Sequence, residues 1–221
     1  MDALLDQFFN IDIMVQTWPV MLRGLGMTLL LCAIVIPLGL IGGLGVALLS
    51  TSRYRAVRWA IAPFVDIFRA VPPLVLLIFV HAGLPFAGFE LSAFQSVAIA
   101  FLLNNSAYYG EIYRAGIESV PAGQREAARS TGLGAMQTTV YVVLPQAVRN
   151  VLPDLVSNTI EVVKLTSLAS VVALQELLHS ADLARSITFN ASPIVLAALI
   201  YLAMLWPCVR LLSRLERRVA G

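Results

Sequence analysis

Charge is sparse in this sequence, and lysine and cysteine are almost missing. Of 221 residues, 13% are charged and 59% are hydrophobic, with a mean hydropathy of +0.83. Soluble domains carry about 25% charged residues, so a chain this apolar needs lipid around it. The single lysine, Lys164, follows no glycine loop. A phosphate-cradling loop needs Gly-Lys-Ser or Gly-Lys-Thr, so an ATP site of that kind is excluded. Any ATP hydrolysis that drives this chain belongs to another subunit. The two cysteines, Cys32 and Cys208, lie in apolar runs and imply neither a disulfide framework nor a metal site. His81 and His179 stand alone. There is no catalytic triad, metal cluster or nucleic-acid signature, so the sequence is not that of an enzyme or of a DNA-binding protein.

What is present is a set of long apolar runs, at about 20–50, 59–84, 91–117, 151–178 and 192–212. Each is long enough to cross a hydrocarbon core of about 30 Å. The second is interrupted by Asp66, Arg69, Pro72 and Pro73. They predict an all-α integral membrane protein of five transmembrane helices, forming one domain over 1–221. Asp2, Asp6 and Asp12 stand where a secretory signal would be basic, so the first span reads as an uncleaved insertion signal.

Eleven of the fifteen basic residues fall in three places: between spans one and two, around the segment joining spans three and four, and in the tail from Arg210 to Arg218. With five spans these share one side. The positive-inside tendency then puts the N-terminus outside and the C-terminus in the cytoplasm. The polar loop at about 118–149 is cytoplasmic too. Gly39 and Gly43, four residues apart in the first span, share a helix face and favour close helix packing.

Within the polar loop, Pro121 to Ser130 predicts a short helix: proline suits a helix start, and Gln124, Arg125, Glu126, Ala127, Ala128 and Arg129 are helix formers or neutral. Gly132 can adopt a left-handed conformation and end it. A second helical run, about 135–143, leads to Pro145. Ala127 and Ala128 would give a small face that lets a partner approach.

Glu126-Ala127-Ala128, then Gly132, Val142 and Leu144-Pro145, resembles the EAA loop of bacterial ABC-importer permeases. Other segments are similar to the permeases for polar amino acids of the histidine, glutamine and arginine type. Asp66-Ile67-Phe68-Arg69 with Pro72 is similar to their second-span motif. Asn104-Asn105-Ser106-Ala107-Tyr108 with Glu111 and Arg114 is similar to their third-span motif. Gly123-Gln124 and Lys164-Leu165-Thr166-Ser167-Leu168 also fit. The resemblance covers nearly the whole chain. It implies a type I ABC-importer permease fold in the bacterial inner membrane. It also implies a dimer of ATP-binding subunits holding ATP and Mg, a second permease subunit (identical or related) and an extracytoplasmic substrate-binding protein. No cofactor belongs to this chain itself. Gln124, Glu126, Ala127, Ala128, Gly132, Leu144 and Pro145 would then form the ATPase-coupling element. Val71, Leu76 and Leu165 depart from the family, which usually has Thr, Gln and Asp there.

Ionisable groups inside spans cost roughly 2.5–3.5 kcal/mol each on insertion scales, so they mark partners or function. Asp66 and Arg69 are three apart, as are Glu161 and Lys164, and each pair could neutralise itself on one helix face. A zwitterionic amino acid needs a cation for its carboxylate and acceptors for its ammonium. Glu161, Lys164, Thr166 and Ser167 supply both charge types and hydroxyls; Asn104 and Asn105 add neutral hydrogen bonds. These, with Asp66 and Arg69, are the substrate-cavity candidates. The apolar departures leave an opine, an ectoine-like compatible solute or a neutral amino acid as other cargoes. A self-sufficient ion-coupled carrier is the alternative function; a structural or sensory membrane protein would not need the polar mid-span cluster.

Overall fold

The computed structural model describes residues 2–219, and every regular element among them is a helix. The side chains of Asp2, Arg217 and Arg218, counted above, lie outside the described residues. The chain runs through α1 (Asp2–Phe8), α2 (Ile11–Ser50), α3 (Arg55–Ala70), α4 (Pro73–Ile78), α5 (Ala93–Glu118), α6 (Ala122–Ser130), α7 (Ala135–Thr138), α8 (Leu144–Leu165), α9 (Leu177–Thr188) and α10 (Ser192–Val219). Three helical runs are long and apolar enough to cross a membrane: Ala3–Ser50, Ala135–Val172 and Ser192–Arg214. A fourth qualifies if Arg55–Ala70 and Pro73–Ala87 count as one broken crossing. The fold is therefore all-α and multi-pass. At 26 residues α5 is long enough, but Asn104, Asn105, Ser106, Glu111 and Arg114 lower its hydropathy.

The helices group into two compact units. The first comprises Met1–Pro37, Pro72–Phe101 and Ile160–Val209; the second comprises Leu38–Val71, Leu102–Thr159 and Arg210–Gly221.

In the first unit, α2 begins nine residues before the expected start at 20. Asn10 Oδ1 accepts from the Ile13 N–H at 3.1 Å and caps it, a signal hidden by the polar character of the segment. The core gathers Met21 on α2, Leu177, Ala181 and Ala184 on α9, and Leu196 and Ala197 on α10. Ser92 and Gln95 form a reciprocal cap that starts α5: Gln95 Oε1 accepts the Ser92 N–H at 2.9 Å, and Ser92 Oγ accepts the Gln95 N–H at 3.3 Å.

In the second unit, α2 and α5 approach through small residues. A Cβ on Gly43 would sit 2.5 Å from Tyr109 Cβ and 2.9 Å from the Gly110 nitrogen. A Cβ on Gly110 would in turn meet Val46 Cγ1 at 2.5 Å. The small-residue face is thus spent on packing inside the chain.

Two expected spans differ in shape. The run at 59–84 is not one helix. Proline forces the preceding residue out of the helical region, and the backbone is extended at Val71 (ψ 128°) and Pro72 (ψ 133°). Helix α4 then widens into a π turn, Phe79–Gly83, and a 3₁₀ turn, Leu84–Ala87, which ends at Gly88 with φ +84°. The expected run at 151–178 begins earlier and ends earlier. From Ala135 the chain is helical without a break to Val172, so the second helix of the polar loop flows straight into α8. Pro145 has no N–H for the Tyr141 carbonyl, and a π turn, Thr139–Val143, lies just before it in place of a helix end. After Leu165 the helix tightens to a 3₁₀ segment, Thr166–Val172. There Thr166, Ser167 and Ser170 hydroxyls each donate to the carbonyl three residues back, at 2.7–2.8 Å. Ala173 ends the run at φ 55°.

Candidate functional site

The expected substrate residues divide between the two units. In the first, Lys164 Nζ is ion-paired with the Glu161 carboxylate, and both side chains are about half exposed. The self-neutralising pair therefore forms here. Thr166 is fully buried and gives its hydroxyl hydrogen to the Val163 carbonyl. Ser167 likewise donates to the Lys164 carbonyl. Lys164 and Ser167 line a cavity of about 520 Å³ whose other walls are Tyr201, Leu202, Leu205, Trp206 and Val209. It is an apolar groove with a charged pair at its edge.

Glu176 is the residue that sequence reasoning missed. It is fully buried and caps α9: its carboxylate accepts the Leu178 N–H at 2.8 Å, the His179 N–H at 2.7 Å and the Tyr201 hydroxyl at 3.1 Å. Thr28 Oγ1 accepts the remaining Leu177 N–H at 3.1 Å. The first turn of α9 is thereby satisfied in the interior. The signal was an acid near the end of an apolar run, read through because that run was taken as one span.

In the second unit, Asp66 and Arg69 do not pair. Arg69 instead lies 3.8 Å from Glu111 and over the Tyr108 ring at 5.6 Å. Glu111 also accepts from Arg114 Nε at 3.0 Å, and Arg114 reaches Glu118 at 2.6 Å. Asp66 has no ion-pair partner among the described residues. Arg58, Asp66, Arg69, Glu111 and Arg114 line a cavity of about 320 Å³. Asn104 is buried and gives its amide N–H to the Phe68 carbonyl at 2.8 Å. Asn105 is buried too, and its Nδ2 has no hydrogen-bond partner among the described residues. Leu76, at a position where the resemblance places a polar residue, is buried in apolar packing in the first unit.

The polar loop holds the expected helix. Pro121 immediately precedes α6, and Gly132 (φ +92°) takes the left-handed conformation beyond its end. Gln124, Glu126, Ala127, Leu144 and Pro145 are exposed. Ala128 is not: it is 7% exposed, so of the expected Ala127–Ala128 face only Ala127 is offered outward. Val120, Val143 and Ala147 pack together beneath the loop. Arg125 Nη2 donates to the Ile117 carbonyl at 2.7 Å, and Asn150 Nδ2 to Ser119 Oγ at 2.9 Å. Among the described residues no group of three or more His, Cys, Asp or Glu side chains is arranged to hold a metal.

Residues 36–221 match the family described as binding-protein-dependent transport system inner membrane component. The chain is 36% identical to a probable amino-acid ABC transporter permease protein of Bacillus subtilis, YckA, over 90% of this chain and 88% of that one. It is 32% identical to the arginine transport system permease protein ArtQ of the same organism, over 91% and 93%. A crystal structure of an amino acid ABC transporter with histidines contains a chain that superposes at a TM-score of 0.87, with 36% identity over 93% of this chain and 96% of that one.

Proposed function

The chain belongs to the family of binding-protein-dependent transport system inner membrane components, and we propose that it forms the path for a polar amino acid or a derivative of one. It is a multi-pass permease subunit of an ABC importer in the bacterial inner membrane, not an enzyme; ATP is hydrolysed by a separate ABC ATPase. The observation that carries the cargo reading is likeness over nearly the whole chain to permeases whose names give amino acids. The alternative of a self-sufficient carrier has no comparable support.

Residues 1–221 act as one permease domain with five crossings: α2, the broken α3–α4 pair, α5, α8 and α10. The N-terminus faces outward, and the C-terminus and the 118–149 loop face the cytoplasm, as the arginine distribution favours. A second permease subunit, a dimer of ATPase subunits and an extracytoplasmic binding protein complete the importer. The exposed Gln124, Glu126, Ala127, Leu144 and Pro145 meet the ATPase; buried Ala128 shapes that surface from within, and exposed Gly132 turns the chain at the end of α6. Asn105, with a buried donor left unpaired, is the substrate candidate with most support, since an unmet buried donor costs about 1–3 kcal/mol unless a ligand meets it. Glu161 and Lys164 offer both charges of a zwitterion's complement, and Asp66 and Arg69 do the same in the second unit. Thr166, Ser167 and Asn104 act through the backbone they brace. Opines, ectoine-like solutes and neutral amino acids remain cargoes for the same test.

That test is reconstitution with the cognate ATPase and binding protein, reading ATPase rate and uptake against a panel of amino acids and derivatives. Stimulation by one class, lost in Asn105→Ala, supports the reading. Uptake that needs no ATPase and follows an ion gradient defeats it.

A further inference from the structure

We propose that the 118–149 loop contains a receptor pocket for an acidic side chain of the ATPase subunit; this rests on the coupling reading above. Helix α6 sets Arg125 and Arg129 four residues apart on one face. Together with Ile117, Thr138, Thr139 and Val143 they wall a cavity of about 200 Å³. Two buried polar atoms of the residues that wall this pocket are unmet. Thr138 is 4% exposed, and its hydroxyl has no hydrogen-bond partner, whereas the adjacent Thr139 hydroxyl donates to the Ala135 carbonyl at 3.0 Å. Arg125 uses Nη2 on the Ile117 carbonyl, but its Nε is buried and unpartnered. Among the described residues neither Arg125 nor Arg129 has a carboxylate within ion-pair distance, although Glu126 lies between them in sequence.

Two guanidinium groups with no carboxylate partner among the described residues, on the wall of one cavity, call for an anionic ligand. A carboxylate is such a ligand, and its bonds to arginine are of the strong, charge-assisted kind. The occupant is a protein carboxylate because α6 also bears Gln124, Glu126 and Ala127, the exposed residues of the coupling surface. The pocket thus supplies a point of electrostatic register for docking, beside the packing at Ala127.

The test is titration of the purified cognate ATPase subunit against the permease in phosphatidylcholine nanodiscs, across a salt series. Thr138→Val and Arg129→Gln should each weaken binding about tenfold, about 1.4 kcal/mol, and Arg129→Gln should also flatten the salt dependence. Thr138→Ser, which restores the hydroxyl, should bind as the native chain does, and the unfolding midpoint of Thr138→Val should be no lower than the native one, since an unmet buried hydroxyl is removed. Ala127→Trp is the control for docking itself. If it abolishes binding while Thr138→Val and Arg129→Gln bind normally at every salt concentration, the pocket is overturned and the coupling reading stands. If Ala127→Trp has no effect, the coupling reading fails and the pocket proposal with it. Loss that appears only when phosphatidylglycerol is included assigns the pocket to a lipid headgroup and overturns the proposal as well.

Discussion

Asn104 donates to the Phe68 carbonyl at 2.8 Å, the carbonyl that Pro72, having no N–H, cannot serve. In an uninterrupted helix the N–H of residue 72 would serve the carbonyl of residue 68, and that of residue 73 would serve residue 69. Pro72 and Pro73 remove both donors. The Tyr108 hydroxyl reaches the Arg69 carbonyl at 3.3 Å and meets the second vacancy more weakly. The third-span Asn104 and Tyr108 thus answer the proline pair of the second span. Asn104→Leu should cost about 1–3 kcal/mol, as for any buried acceptor left unmet. Tyr108→Phe should cost less. In a Pro72→Ala background, which returns the N–H, the Asn104→Leu penalty should shrink. Unfolding midpoints of the four proteins in detergent, read as a double-mutant cycle, check this.

Glu111 is the acid that holds two arginines, Arg69 and Arg114. Removing its charge leaves Arg69 without a carboxylate. Because these side chains are partly exposed, Glu111→Gln should destabilise by only about 1 kcal/mol. Asp66→Asn should stay within roughly 0.5 kcal/mol, since Asp66 has no ion-pair partner among the described residues. A larger loss for Asp66→Asn than for Glu111→Gln would show that Arg69 chooses the nearer acid after all.

Much of the fold was legible because lipid simplifies the code. Long apolar runs and the helix signals around Pro121 and Gly132 each have one strong physical cause. What failed had competing causes. Pro72–Pro73 was seen as an interruption, yet whether a membrane helix kinks or breaks depends on who supplies the missing donors, and Asn104 lies thirty-six residues in sequence from the Phe68 carbonyl it serves. The expected helical run leads only as far as Pro145, whereas a π turn before that proline lets the helix continue past it. In the site, i,i+3 spacing gave Glu161–Lys164 correctly and Asp66–Arg69 wrongly. Spacing shows which groups can meet; it is silent about a better partner on another helix.

Two glycines of one helix should behave oppositely. A methyl on Gly43 would collide with Tyr109 Cβ and the Gly110 nitrogen, while a methyl on Gly45 would meet nothing within 4 Å. Gly43→Ala should cost about 1–3 kcal/mol by overpacking against backbone that cannot retreat. Gly45→Ala should be neutral or stabilising by up to about 1 kcal/mol, from helix propensity alone. Thermal unfolding of both variants in the same detergent decides it.

The capping carboxylate of α9 gives a third contrast. Glu176→Ala leaves the Leu178 and His179 N–H groups and the Tyr201 hydroxyl without their acceptor. The loss should be about 2–3 kcal/mol, the sum of a lost cap and unmet buried donors. Tyr201→Phe removes one bond and should cost about 1 kcal/mol. If unfolding midpoints show the two variants equal, the cap is not what holds α9.

Ala127 and Ala128 are neighbours with opposite exposures, and this separates docking from folding. Ala127 is exposed on α6, and Ala128 is buried beneath it. A bulky residue at 127 adds volume only where a partner would approach, so Ala127→Trp should leave the unfolding midpoint unchanged while abolishing substrate-stimulated ATP hydrolysis in the reconstituted importer. Ala128→Trp must displace packed atoms, at about 1–3 kcal/mol. It should lower the midpoint and lose coupling together. Stimulated ATPase rates and midpoints measured on the same preparations distinguish the cases. Full stimulation in Ala127→Trp would mean that the exposed face of α6 is not where the ATPase sits. A midpoint loss at 127 as large as at 128 would mean that the loop's own packing, rather than its surface, limits both.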